Sequence, residues 1–448
     1  MVDTAEATTA PRSTRGERVG WYFYDFANSA FSTSVVTVFL GPYLGTIAER
    51  AQDAKHQVYP LGIPVAAGSL FSYAVSLSVL LTVFVLPIVG AIADRSSHKR
   101  ELLGLFAYVG AGSVLGMVFL TGDRYLLGTV LFLVANISFG AANVVYNSFL
   151  PQIAGPDDRD RVSSLGWGIG YIGGGILLAL NLVALTIDND RHTADVARWS
   201  IVSAGLWWAL FTTVPLVRLR NRPAVAGEHP RGSVLTDGFR QLGQTLASLK
   251  AYPLTLFFLI AYLVYNDGIQ TVIVQAGVYA DKELGLSQTV RVEAILLVQF
   301  VAFAGAFAMG RIAERIGAWR TVLGSLVVWT VALGLAYFLP AHRALLFMLL
   351  AALIGIVLGG SQALSRSLFS QLIPHGKEAE YFGLYEISSD GTSWLGPLLF
   401  GLIYQITHTY RVAIISLLIF FIIGFVALLA VPIRRAIVEA GNVPPHVL

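Results

Sequence analysis

Gly90-Ala91-Ile92-Ala93-Asp94-Arg95-Ser96-Ser97-His98-Lys99-Arg100 sets a burst of charge directly against an apolar run that ends at Ile92. The pattern returns 220 positions later as Gly310-Arg311-Ile312-Ala313-Glu314-Arg315-Ile316-Gly317-Ala318-Trp319-Arg320. The chain is therefore an internal duplication. A glycine lets two helices come close, an acid can sit over a neighbouring helix's amino-terminal dipole, and basic residues hold a turn on the cytoplasmic side of a membrane. All three properties belong to a short loop between two membrane spans.

Composition sets the class. Of 448 residues, 55% are hydrophobic and only 13% charged, beyond the apolar share of about 45–50% usual for soluble globules. The apolar residues come in unbroken runs of about 20, as in spanning helices, and not in the alternating segments of a barrel. Cysteine is absent, so thiol chemistry and Cys-based metal sites are excluded. The histidines, among them His98, His192, His375 and His408, are scattered without metal-ligand spacing. No glycine-rich phosphate loop precedes a Lys-Ser/Thr pair, so an ATP-driven pump is not expected. No enzyme, cofactor or nucleic-acid module is expected.

Twelve apolar spans are predicted, at about 19–48, 69–93, 101–121, 125–150, 163–187 and 198–218, then 252–280, 291–310, 320–340, 343–369, 381–405 and 411–433. Residues 1–18 read as a disordered tail, 19–218 as an N-terminal six-helix bundle, 219–250 as a linker, 251–435 as a second bundle and 436–448 as a tail. With both ends on one side, about two-thirds of the 30 Lys and Arg fall on that side, which makes it the cytoplasmic one. The linker carries Arg220, Arg222, Arg231, Arg240 and Lys250, suited to anionic headgroups, with a surface helix possible over Val234 to Leu249.

Ionisable residues within spans are costly and mark candidate sites. Asp25 and Asn28 lie in span 1, Tyr265-Asn266-Asp267 in span 7, and Glu386 and Asp390 in span 11. Asp267 is the deepest acid and reads either as a substrate or proton site or as half of a structural ion pair; Asp25 reads as a gate. Asn136, Gly140, Asn143 and Asn147 share one face of span 4, and Gly355, Gly359, Gln362 and Arg366 repeat that spacing in span 10. These faces are expected to be pseudo-symmetric walls of a central cavity, with interhelical hydrogen bonding as the alternative. Gly166, Gly170 and Gly174 form a ladder along span 5, whereas Glu386 and Asp390 occupy the corresponding face of span 11.

The two quoted loops resemble the signature that the major facilitator superfamily carries between spans 2 and 3 and between spans 8 and 9. That resemblance implies twelve transmembrane helices in two pseudo-symmetric six-helix bundles, an all-α integral membrane fold. Asp94, Arg95 and Arg100 would then latch the cytoplasmic side shut, with Glu314 and Arg315 doing so more weakly. Gly170-Tyr171-Ile172-Gly173-Gly174-Gly175 resembles the superfamily's antiporter motif, with Tyr171 in place of a proline. More specific are Tyr24-Asp25-Phe26-Ala27-Asn28-Ser29-Ala30-Phe31, Tyr265-Asn266-Asp267-Gly268-Ile269, Gln362-Ala363-Leu364-Ser365-Arg366-Ser367, and Phe382-Gly383-Leu384-Tyr385 followed by Gly396-Pro397. Together they resemble the branch containing the yeast vacuolar amino-acid effluxer of autophagy and its bacterial relatives, although position 390, often Lys in that branch, is Asp390 here.

The resemblance implies secondary transport, and the expectation is a proton-coupled exporter of a small zwitterion such as an amino acid. Its carboxylate would face Arg366 and its ammonium Asp267 or Asp390, lined by Gln362, Asn143, Asn147, Asn266 and Tyr265. Arg366 paired with Glu386 is the competing arrangement. A monomer in a bacterial plasma membrane is expected, partnered by substrate, proton and lipid. The other readings are a drug or sugar exporter, or a lipid scramblase or sensor on the same fold.

Overall fold

The first helix begins at Arg15, inside the stretch expected to be a tail. Thr14 caps it reciprocally with Glu17, satisfying donors that a helix start otherwise leaves bare. The computed structural model describes residues 14–188, 193–223, 250–390 and 395–448. The expected surface helix over Val234 to Leu249 lies outside them.

Among the described residues, eleven helices are long and apolar enough to cross a membrane. Spans 1 to 6 are Arg15–Ala51, Ala67–Arg95, Lys99–Phe119, Tyr125–Ile153, Arg159–Ile187 and Ala194–Arg218. Spans 7 to 10 are Pro253–Lys282, Thr289–Ile316, Ala318–Phe338 and Ala344–Gln371, and span 12 is Tyr410–Ala430. Among the described residues, span 11 is represented by the helical stretches Glu378–Asp390 and Leu395–Thr407. This is the expected twelve-helix architecture of two six-helix bundles. One small departure from all-helical structure is a two-stranded hairpin, Gln57–Val58 against Val65–Ala66, in the connection between spans 1 and 2.

Each bundle has its own apolar core. One is built around Trp21, Phe31, Tyr146 and Trp208, the other around Phe258, Tyr262, Trp329 and Phe421. Ala379, at the start of span 11, belongs by packing to the first core. Gly90 makes that crossing possible: a Cβ there would lie 2.5 Å from the Ala379 carbonyl oxygen. The glycine ladder of span 5 works similarly against span 1, where Cβ atoms on Gly166 and Gly170 would strike Asp25 and Ser29.

The start of the first helix and the carboxyl-terminal segment reach the same face. Arg18 pairs with Asp158, and the His446 N–H donates to Asp157 Oδ1 at 2.7 Å. A further helix, Ile433–Glu439, follows span 12 and runs into the stretch 436–448 read as a tail. Asn442 Nδ2 then holds the Gln371 and Ile373 carbonyls at 2.8 Å each. The end of the chain thus lies across the seam between halves on this terminal face.

Candidate functional site

Arg366 stands on the fourth-residue spacing of span 10, which points it away from its own bundle and into the seam. Its guanidinium is buried there, and every nitrogen is engaged. Nε donates to Ser163 Oγ at 2.9 Å and Nη2 to the Ser163 carbonyl at 3.0 Å. Nη1 and Nη2 both reach Asp25 Oδ2 at 3.3 Å, and Nη1 also reaches Asn147 Oδ1 at 3.3 Å. Three rings surround it, Trp21, Trp167 and Tyr146, at 4.7, 5.3 and 5.7 Å from ring centroid to guanidinium carbon. A weakly hydrated planar cation suits such a cage better than an ammonium would. Gly166 leaves room for it, since a Cβ there would meet Trp21, Asp25 and Arg366 together.

Asp25 completes an ion pair between the halves, and Tyr146 Oη donates to its Oδ2 at 2.7 Å. Asn147 carries the network onward: its Nδ2 donates to Glu386 Oε1 at 2.7 Å. Arg366 is therefore paired with Asp25, and the competing expectation of a direct pair with Glu386 is corrected. The reason is reach. Asn147 stands between Arg366 and Glu386 and bonds to both.

The other polar candidates fall into separate groups. Asn28 donates to Asn143 at 2.8 Å within the first half, and Gln362 donates to Asn266 at 2.7 Å within the second. Asn266 also holds the Ser389 carbonyl, and Tyr265 shares a hydrogen bond with Ser365 at 2.6 Å. Most of the amide row thus ties neighbouring helices together, with Asn136 bonded to Ser78 in span 2. Asp267 bonds to the Gly396 N–H of span 11 at 2.7 Å, inside the second half. No recorded bond joins it to Arg366, so the expected arrangement with one substrate bridging Arg366 and Asp267 is not drawn together here. The side chain of Asp390 lies outside the described residues.

Towards the terminal face the seam is closed in layers. The Ser163 hydroxyl donates to the Ala363 carbonyl at 2.6 Å, Ser367 bonds Asp160, and Arg159 Nη1 donates to the Ser370 carbonyl at 2.8 Å. Nearest the surface, Asp94 accepts the backbone N–H groups of Ala379 and Glu380 at 2.9 and 2.8 Å, the first turn of span 11. A carboxylate at a helix start gains both hydrogen bonds and dipole energy. Its basic partner is Lys99, at 2.9 Å. Arg95, expected in that role, is exposed, and Arg100 is turned to Glu101. The second copy of the loop is weaker, since Glu314 only approaches Arg161 at 3.9 Å and Arg315 is exposed. Away from the terminal face, the outermost hydrogen bond recorded between halves among the described residues is Gln299 to Thr33, at 2.9 Å. The molecule is thus sealed on the terminal face.

Sequence reasoning missed Ser163, Trp167, Asp160, Ser367 and Lys99. Lys99 lies in the opening stretch, and Asp160 falls outside the expected span 163–187 because the helix begins at Arg159. Trp21 and Tyr146 offered no signal beyond being aromatic.

The residues 13–441 match the family model described as "Vacuole effluxer Atg22 like". The uncharacterized MFS-type transporter YxiO of Bacillus subtilis is 31% identical over 417 residues, covering 92% of this chain and 94% of that protein. Autophagy-related protein 22 of Eremothecium gossypii is 28% identical over 475 residues, covering 94% and 92%. Among solved structures, the proton:xylose symporter XylE superposes with a TM-score of 0.66 at 15% identity, covering 92% of this chain and 94% of XylE. The E. coli fucose:proton symporter FucP gives 0.65 at 12%, covering 92% and 97%. The chain belongs to the Atg22-like effluxer family of the major facilitator superfamily and is a multi-pass membrane transporter.

Proposed function

We propose that this protein exports a small zwitterion such as an amino acid from the cytoplasm by alternating access, driven by protons, with both termini cytoplasmic and as a monomer. The observation that carries the substrate class is the Arg366–Asp25 pair across the seam. Opening the terminal face must part the halves, leaving a cation on one and an anion on the other in a low-dielectric site, each costly alone. A zwitterion compensates both at once, its carboxylate on Arg366 and its ammonium on Asp25. Asn147 and Glu386 line the same seam. The ammonium partner is therefore moved from Asp267 to Asp25. Export agrees with the effluxer description of the family; a sugar would leave both charges uncompensated.

Competition tests the charge requirement. In proteoliposomes exchanging a labelled neutral amino acid, the unlabelled amino acid should compete, while its methyl ester and its des-amino acid, each lacking one charge, should not. Equal competition by all three would refute the two-charge site.

A further inference from the structure

We infer that Asp267 is a proton-binding site inside the C-terminal half, distinct from the charged network at the seam. Its carboxyl is buried, and its two oxygens are treated unequally. Oδ2 accepts the Gly396 N–H at 2.7 Å, the first turn of the second helix of span 11. Oδ1 has no hydrogen-bond partner among the described residues. A carboxylate left half bare in such surroundings carries most of its desolvation cost uncompensated. One positive charge delivered to Oδ1 removes that cost.

The surroundings select a proton. Thr271 spends its hydroxyl on the carbonyl of Asp267 itself, at 2.7 Å, and presses on Gly396 so closely that a Cβ there would overlap its side chain. Gly268 packs on Phe420 and Phe421 of span 12. A metal ion would need several convergent oxygens, and no group of three or more His, Cys, Asp or Glu placed to hold one occurs among the described residues. Among the described residues no basic group pairs with Asp267 either. From span 10, Arg366 is held by Asp25 and Ser163. From span 12, Arg411 is held by Glu283 and the Tyr337 carbonyl, and from span 8, Arg291 by Asp281. Glu386 of span 11 bonds Asn147, and on span 7 itself Tyr265 is taken by Ser365; Tyr262 stacks on Tyr385 of span 11. The side chain of Asp390 is outside the described residues. A substrate ammonium fits poorly, because the hydrogen bonds of Asp267 run to spans 7 and 11 of one half.

Ionised Asp267 holds span 11 through a charge-assisted hydrogen bond; the protonated acid holds it through a weaker neutral one. Proton occupancy thereby sets the grip between spans 7 and 11, and span 11 also carries Ala379, Glu380 and Glu386 of the seam. The coupling role of this site rests on the transport reading above; proton binding itself does not.

The test is infrared difference spectroscopy of the full chain in lipid nanodiscs, acid minus alkaline pH, with no substrate added. The wild type should show a titrating carboxylic-acid band that Asp267→Asn removes and Asp267→Glu shifts. Spectra identical in wild type and Asp267→Asn, with both proteins folded, would overturn the proposal. So would a band that responds to sodium at constant pH. Failure of the amino-acid competition experiment would leave this result untouched, so the two proposals fail separately.

Discussion

Arg366 donates through Nη1 to Asn147 Oδ1 at 3.3 Å, and the two residues hold corresponding places in spans 10 and 4, 219 positions apart. The duplicated polar faces therefore meet each other at the seam. They meet unequally, because the duplication put a cation on one face and an amide on the other. Asn147 passes the contact on to Glu386, and Asp25 supplies the countercharge.

Removing one partner of a buried ion pair costs about 3–5 kcal/mol, because the other charge is left uncompensated. Arg366→Gln should destabilise the purified protein by about that much, and Asp25→Asn by less. Arg366 without Asp25 keeps Ser163, Asn147 and its ring cage, whereas Asp25 without Arg366 keeps, among the described residues, only the side-chain hydrogen bond from Tyr146. The double variant should recover part of the loss. Thermal melts of the four proteins check this, and a strictly additive double variant would disprove the coupling.

The two loop copies should differ in strength. Asp94→Ala removes two helix-start hydrogen bonds and leaves Lys99 unpaired, whereas Glu314→Ala removes only a loose, exposed pair. A charge at a helix start is worth up to about 2 kcal/mol in partly buried geometry, a surface pair at most about 1 kcal/mol. The chain has no cysteine, so Ser370→Cys makes a clean reporter of the seam. Its thiol labelling should speed up roughly ten-fold with Asp94→Ala, since about 1.4 kcal/mol corresponds to one decade in an equilibrium, and little with Glu314→Ala. Equal acceleration would contradict the asymmetry.

Gly317 has φ +92, and a Cβ there would collide with the backbone of Leu448. Gly317→Ala should therefore both strain the turn and push the chain end off the terminal face. Carboxypeptidase should release the terminal residues faster from this variant than from wild type. Unchanged release would show that the docked end does not depend on this turn.

Outside the membrane, Asp53 accepts Tyr59 Oη at 2.6 Å and the amides of Gln57 and Lys55 at 2.9 and 2.8 Å. The Tyr59 hydroxyl first, then the Gln57 amide, hold its carboxyl below the usual carboxylate range. The contribution of this group to loop order is present above its unfolded pKa and fades as pH falls through the lower, folded one. Hydrogen exchange at the Gln57 amide, corrected for intrinsic pH dependence, should lose protection only in that acid window. Tyr59→Phe should move the loss to higher pH; no movement would contradict the assignment.

The fold was legible because its signals are long: apolar runs of about 20 residues and a loop repeated at a constant offset survive local error. Asp25, Arg366, Asn147 and Glu386 could be singled out because charge and amides within apolar runs are conspicuous. What could not be read was pairing. Arg366 could reach several acids, and its choice of Asp25 depends on the side chain of Asn147 standing before Glu386. Lys99 and Arg95 are four positions apart and chemically alike, and only the turn between spans 2 and 3 decides that Lys99 folds back onto Asp94. Asp267 reads as a cavity acid because it is deep, whereas its Oδ2 accepts the Gly396 amide of span 11 within its own half.

The central claim is that a zwitterion takes the place of the Arg366–Asp25 pair. Counterflow of a panel of labelled neutral amino acids in proteoliposomes tests it most directly, with wild type set against Arg366→Gln and Asp25→Asn. The account predicts saturable exchange of at least one amino acid by the wild type and loss of that exchange in both variants. Folded wild-type protein that exchanges none of the panel, or variants that exchange as well as wild type, would contradict it.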